Sequence, residues 1–205
     1  MYADLHLHTN FSDGTFTPEE LAEHGQRVGL SAMALTDHDT VDGCARMAVA
    51  CVERDIEFVP GCEFTVEHAG NELHLLGYFL DLENDRLRGE LAKYQKVRRN
   101  RIHEMVEKLN ELGVAITDGD VMKIANCDSP GRPHIGRALV ALGHCGSLDE
   151  AFRKWLKKGK PAWVSKAKLT AAEAIGLIHE ACGLAVIAHP GLYHRDEVIG
   201  PLVDA

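Results

Sequence analysis

Two hydrophobic rhythms run through the chain. Short apolar or alternating stretches predict strands: YADLHLH at residues 2–8, SAMAL at 31–35, IEFVPGCEF at 56–64, ELHLLGYFL at 72–80 and LAVIAHP at 184–190. Helical patterns lie between several of them. Thr17 offers a capping hydroxyl, Pro18 suits a first turn, and Glu19 and Glu20 sit at the positive end of the dipole, so a helix should run to about Val28 and stop at Gly29. A second is expected from about Val41 to Arg54, and a third from about Ala171 to Cys182 with Thr170 as its cap. A hairpin should turn through Ala69, Gly70 and Asn71. Strands alternating with helices predict an α/β architecture.

From Leu82 to about Ala167 the rhythm becomes helical throughout. Leu87, Leu91, Tyr94, Val97, Met105, Leu109 and Leu112 recur at roughly helical spacing, and the middle of that run is basic, with Lys93, Lys96, Arg98, Arg99 and Arg101. A connector about Asp118 to Cys127, the loop Ser129 to Gly136, and helices from about Ile135 to Leu142 and Leu148 to Lys158 should follow. The pattern reads as a helical cap, residues 82–167, inserted into an α/β domain made of residues 1–81 and 168–205. The basic run is either a solvated helix face or a phosphate-facing lid. Within the cap, Arg132 and His134 flank a stiffening proline ahead of a helix start and are candidates to receive an anion, against the plainer reading of a loop with exposed charges. Residues 157–166, KKGKPAWVSK, add positive charge and should return the chain to the main domain.

With 205 residues the chain can bury one sizeable core, and 45% apolar with 26% charged residues is ordinary for a globular protein. A net charge of −9 argues against broad binding of long duplex nucleic acid. No apolar run is long enough to span a membrane and no basic-then-apolar leader opens the sequence, which points to the cytoplasm. Cys44, Cys51, Cys62, Cys127, Cys145 and Cys182 form no CxxC pair and read as reduced thiols.

The candidate chemistry sits at strand ends. In an extended strand His6 and His8 point the same way while Leu5 and Leu7 point into packing, which makes the two imidazoles a ready ligand pair; a polar edge strand is the other reading. Asp13 follows on a Ser-Asp-Gly turn. His38 leaves the second strand in TDHD, where it is either a ligand or part of a helix-capping turn. Glu63 ends the third strand and can bridge two ions through its two oxygens. His74 lies in a strand expected to be buried on both sides, and His189 closes the last. The series as a whole predicts a multinuclear metal site.

These motifs, DLHLHTNFSDG, ALTDHDTVDG, GCEF, ELHLLGY and AHPG in this order, resemble the PHP (polymerase and histidinol phosphatase) family. PGRPHIGRAL within a continuous cap is similar to its branch of small phosphoesterases acting on nucleoside phosphates. The resemblance implies a distorted (β/α)7 barrel, TIM-like, holding two to three divalent ions, Mn, Zn or Fe. By motif, His6, His8 and Glu63 would bind the first ion, Glu63, His74 and His189 the second, and Asp13 and His38 the third. The family adds a late Asp and His in a GSDxH-like motif that this sequence lacks, so the C-terminal part of the barrel is expected to be missing from the chain.

The expected activity is hydrolysis of nucleotide phosphate esters, a nucleoside 3',5'-bisphosphate or 5'-mononucleotide, extending to 5'-to-3' trimming of short oligonucleotides. A water acidified by the ions would attack phosphorus, while Arg132 and His134 hold phosphoryl oxygens; no protein nucleophile is needed. The expected partner is a small phosphorylated substrate, and the sequence is silent on oligomeric state. The competing readings are a PHP module that keeps metal without catalysis, and a histidinol-phosphate-type phosphatase.

Overall fold

The computed structural model describes residues 2–165, 169–192 and 196–203. Lys166, the expected boundary at 167/168 and residues 204–205 lie outside the described residues. Five strands are present among these residues: β1 (Tyr2–Leu7), β2 (Leu30–Leu35), β3 (Glu57–His68), β4 (Asn71–Tyr78) and β5 (Leu184–Ile187). The helices are α1 (Pro18–Arg27), α2 (Cys44–Val52), α3 (Asp85–Glu111), α4 (Asp118–Ala125), α5 (Arg132–Ala141), α6 (Leu148–Ala151), α7 (Ala171–Glu180) and α8 (Ile199–Val203). The chain divides into two compact units, residues 1–92 with 168–205, and residues 93–167.

In the first unit the sheet runs in chain order, β1-β2-β3-β4-β5. β1, β2 and β3 are parallel, linked by α1 and α2, and β4 is antiparallel to both β3 and β5. Thr17 and Glu20 form a reciprocal capping box that starts α1, as Thr170 and Glu173 do for α7. The apolar faces of α1 and α2, through Leu21, Ala22, Cys44, Met47, Ala50 and Cys51, bury Met33 and Leu35 of β2. α7 packs on the β3–β5 side. There Gly77 lets the layers close, since a Cβ would meet Ile178 Cγ1 at 3.0 Å and Phe64 Cε2 at 3.1 Å. The Tyr78 hydroxyl on β4 donates to the Leu5 carbonyl on β1 at 2.7 Å, a bond possible only because the sheet curls into a half-barrel.

Several expectations need correction. Leu5 does not point into packing: it is 44% exposed on an edge strand, and β1 gains one residue relative to β2 between Asp4 and Leu7, a bulge that breaks simple alternation. β4 is buried on both faces, through Leu76 on one and Leu73 and Leu75 on the other, but His74 itself is partly exposed. His74 pairs with Thr65 on the Glu63 face of the hairpin, while Leu73 and Leu75 fill the opposite face. The second helix covers only Cys44–Val52, because Thr40 and Asp42 hydrogen-bond each other in a turn before it.

The second unit is all helical among its described residues. Ile102, Met105, Val106 and Leu109 of α3 pack with Val121 of α4 and Ile135, Ala138 and Leu139 of α5. The expected connector at 118–127 is instead α4, started by a Thr117–Asp120 capping box. α5 begins at Arg132 rather than Ile135, with Pro133 in its first turn. The expected helix at 148–158 is a four-residue α-turn followed by a π-helical turn, Phe152–Leu156. Leu112 lies beyond the end of α3 and is 46% exposed. Much of the basic run is structural: Arg98 and Arg101 donate to the Pro130 and Val164 carbonyls, and Arg99 pairs with Asp128.

On the surface of the first unit Arg46 makes a two-point contact with Glu19, at 2.8 and 2.6 Å. The guanidinium holds the Glu19 carboxyl down to about 2 from 4.5. A depressed folded pKa means the contribution is complete above the unfolded value and fades as pH falls through the folded one. The difference in urea midpoint between wild type and Arg46→Leu, small because the pair is half exposed, should therefore shrink toward zero as pH falls from 4.5 toward 2. A difference that is independent of pH across that window would assign the effect to packing on Phe11, whose ring centroid lies 5.5 Å from the guanidinium.

Candidate metal centre

His6, His8, Asp13, His38, Glu63, His74 and His189 line one open cleft of about 360 Å³ in the first unit. All seven candidate metal-ligating residues are thus brought together, but not all from strand ends: Glu63 does not end the third strand as expected, because β3 pairs with β4 as far as His68, and His74 likewise lies within β4. Glu63 is the hub. Its side chain is 1% exposed, whereas the surrounding histidines are 14–29% exposed. Its Oε2 lies 2.9 Å from His6 Nε2, 3.1 Å from His8 Nε2 and 3.3 Å from His38 Nδ1. Its Oε1 lies 2.7 Å from His74 Nδ1 and 3.1 Å from His189 Nε2. Asp13 stands farther out, 3.8 Å from His8 Nδ1 and 3.7 Å from His38 Nε2.

Local structure explains how so short a set of segments converges. The bulge in β1 ends the strand with His6 and His8 both in the cleft, their ring centroids 5.1 Å apart. The loop that carries Asp13 folds back so tightly that a Cβ on Gly14 would lie 2.3 Å from the His8 carbonyl oxygen. Beyond β2, His38 forms a parallel bridge with Glu63: the Glu63 N–H donates to the Asp37 carbonyl at 3.2 Å, and the Asp39 N–H to the Glu63 carbonyl at 3.0 Å. β5 continues alongside β4 with the Ala188 N–H on the His74 carbonyl, and His189 then turns in at a φ of 33°. Asp39, at a φ of 50°, holds a similarly uncommon conformation beside His38.

Two carboxylates of the TDHD segment were not singled out in the sequence, and both are buried. Asp37 accepts the Thr9 N–H at 2.7 Å and the Ser12 hydroxyl at 2.6 Å on Oδ1, and the Thr9 hydroxyl at 2.5 Å on Oδ2. Asp39 Oδ1 accepts the Thr65 N–H at 3.3 Å. One acid thus ties the His8–Asp13 loop to the end of β2, and the other ties that end to β3. Since the Ser12 hydroxyl donates to Asp37, its oxygen can accept the Nδ1–H of His8, 3.5 Å away. With Nδ1 protonated in this way, an ion that displaced the proton His8 Nε2 shares with Glu63 would find the Nε2 lone pair directed into the cleft. The signal in the sequence was the pair of acids flanking His38 next to an apolar strand.

Electrostatics follow from this packing. Burial would raise the Glu63 carboxyl, but hydrogen bonds from His6, His74 and His8 and the charge of His38 outweigh it and hold it far below the usual carboxylate range. Burial works against protonating His8 as well, yet the bond to Glu63 and the charges of Asp13, Glu63 and Asp37 raise its pKa on balance. His189 goes the other way, lowered by burial and by the neighbouring His74. Burial pushes Asp37 up, against the pull of the Ser12 and Thr9 bonds.

Among the described residues two groups of three donors each lie within 4.8 Å of one another, His6–Glu63–His189 and His8–His38–Glu63, sharing Glu63. Nitrogen–oxygen separations near 3 Å match the edges of a coordination polyhedron with bonds of about 2.0–2.2 Å. Imidazole and carboxylate donors suit divalent transition ions. The residues therefore fit a shared-carboxylate metal centre. The two anion candidates belong to the second unit, on the first turn of α5. Arg132 is partly exposed; His134 is 1% exposed and its Nδ1 accepts the Gly131 N–H at 3.0 Å, capping that helix.

The sequence profile of the PHP domain matches residues 4–97. A 3',5'-nucleoside bisphosphate phosphatase of Chromobacterium violaceum is 36% identical over 193 residues, covering 93% of this chain and 67% of that protein. The 5'-3' exoribonuclease Rnm of Salmonella typhimurium is 32% identical over 192 residues, covering 93% and 66%. A crystal structure from Bifidobacterium adolescentis, assigned there as a metal-dependent phosphoesterase, superposes with a TM-score of 0.92 at 30% identity, covering 98% of this chain and 73% of that one. The chain thus spans about two thirds of the length of the first two relatives.

The Asp37 arrangement makes a direct prediction. Asp37→Ala strands three donors in a dry site, each costing about 1–3 kcal/mol, so unfolding in urea should show a loss of at least about 3 kcal/mol. Asp37→Asn, which keeps one good acceptor, should lose clearly less. Equal losses for the two variants would mean that volume, not hydrogen bonding, is what Asp37 supplies.

Proposed function

We propose that this chain, which belongs to the PHP family, is a metal-dependent phosphoesterase that hydrolyses phosphate esters of nucleotides, either a nucleoside 3',5'-bisphosphate or a 5'-mononucleotide, with 5'-to-3' trimming of short oligonucleotides as an extension. The observation that carries this reading is the buried Glu63 carboxylate faced by five imidazoles in an open cleft. In this reading His6, His8 and Glu63 would hold one ion, Glu63, His74 and His189 a second, and Asp13 with His38 a third. Divalent ions bound there would supply Lewis acidity and a water of lowered pKa. The donor set suits Mn, Zn or Fe.

The chain's own residues do the rest. Glu63 keeps its charge without a proton, so both oxygens remain available. Asp37 and Ser12 keep the His8 proton on Nδ1, and Asp37 and Asp39 fix the His38 backbone between the two loops. Arg132 is the cation proposed to hold phosphoryl oxygens, with His134 setting the helix turn that presents it. We take the five strands as part of a distorted (β/α)7 barrel, residues 82–167 as its cap, and the cytoplasm, where the six thiols stay reduced, as the setting.

The test is phosphate release from AMP and adenosine 3',5'-bisphosphate with added Mn. Turnover should be lost on chelation and fall at least about 100-fold in Glu63→Gln, while Arg132→Ala should mainly raise KM. Tightly bound metal with no turnover on either substrate would point instead to a PHP module that holds metal without catalysis. An Arg132→Ala effect confined to stability would remove Arg132 from substrate binding.

A further inference from the structure

Charge is divided unevenly along this chain. Residues 93–167 carry fifteen Lys and Arg against eight Asp and Glu, a net +7, whereas the remaining residues carry seven against twenty-three, a net −16. The overall −9 therefore conceals a basic helical unit. Many of its cations are structural, as described for Arg98, Arg99 and Arg101. One stretch differs. Arg153, Lys154, Lys157, Lys158 and Lys160 are all exposed, and they fall on and just after the π-helical turn Phe152–Leu156.

Among the described residues the only acid within ion-pair reach of these five is Asp149, 3.9 Å from Arg153. The neighbouring Glu150 is engaged by the Gly146 N–H at 2.8 Å. Crowding four lysines into seven residues costs self-repulsion unless a polyanion neutralises them. Both tryptophans of the chain, Trp155 and Trp163, lie in the same segment and are partly exposed. Trp155 is anchored against the helical core, and Lys154 Nζ lies 4.8 Å from its ring centroid. The Trp163 carbonyl accepts a bond from Lys108 Nζ at 3.1 Å, which fixes the backbone there. Exposed cations interleaved with partly exposed tryptophans are what unpaired nucleotides need, because only unstacked bases offer their faces to a ring.

We propose that residues 152–163 form a docking surface for the phosphate backbone and bases of a single-stranded oligonucleotide. The inference deepens the phosphoesterase reading above and rests on it for the nucleotide character of the substrate. It adds to that reading a surface suited to a run of unpaired nucleotides.

The test is binding of a 5'-fluorescein single-stranded oligonucleotide to the full chain in chelator, read by anisotropy across a salt series, for wild type and for Lys157→Ala/Lys158→Ala. The double variant should bind about 10-fold more weakly, and its log–log salt slope should be shallower by about 1.4, the value for two lost contacts to a single strand. Tryptophan emission should be quenched on binding. An unchanged affinity and slope, with an unchanged thermal midpoint, would overturn the proposal. So would binding to phosphatidylserine vesicles or to a duplex that is tighter than to the single strand. Because no turnover is required, a chain that binds but does not hydrolyse keeps this surface and loses the enzyme reading; one that hydrolyses mononucleotides but does not bind the oligonucleotide loses only this surface.

Discussion

One buried carboxylate sets the terms for the first unit. Removing Glu63 from water is costly unless opposite charge or hydrogen bonds replace the lost solvent. Five imidazoles do so, three at one oxygen and two at the other. Those rings come from β1, from the turn after β2, from β4 and from the turn after β5, so nearly every strand of the half-barrel must end in register for the charge to be tolerated. The arrangement also works in reverse. Rings packed with centroids 4.7–5.6 Å apart repel one another when protonated, and the Glu63 charge between them offsets that repulsion, while a bound cation would displace their protons.

Asp37 and Asp39 show how that register is enforced without extending the sheet. His38 lies beyond β2, where no strand partner fixes it, yet its flanking peptides exchange hydrogen bonds with Glu63. The acids on either side then fasten the same turn to Thr9 and Ser12 in one direction and Thr65 in the other. Asp39 and His189 hold positive φ values beside the cleft, and such conformations persist only where surrounding bonds over-determine them. The strain and its fastening occur in the same few residues.

The strands, the α/β order and the seven converging side chains were legible because each rests on a local pattern: an apolar run, then a polar residue at its end. The partial exposure of His74 was not legible, because its neighbours on both sides are apolar and only the pairing with Thr65 places it on the Glu63 face. Leu5 was misjudged because alternation assumes an unbroken strand, and one extra residue in β1 defeats it. Asp37 and Asp39 resemble ordinary capping acids until Thr9, Ser12 and Thr65, distant in sequence, meet them. In the helical unit the basic run looked uniform, yet which arginines serve carbonyl groups depends on loops some thirty or more residues away, at Asp128, Pro130 and Val164.

Charge segregation resolves an apparent conflict between acidic composition and an anionic substrate. A centre that gathers divalent cations is served by surrounding negative charge, which raises the local concentration of cations and opposes their loss. The same field repels phosphates, so a uniformly acidic chain would bind its metal at the expense of its substrate. Placing a net −16 with the histidines and Glu63, and a net +7 on a separately packed helical unit, lets one polypeptide attract both kinds of ion. Screening limits each field to about 8 Å at physiological ionic strength, so each acts on what lies next to its own unit. The overall net charge, which averages them, therefore predicts the behaviour of neither unit.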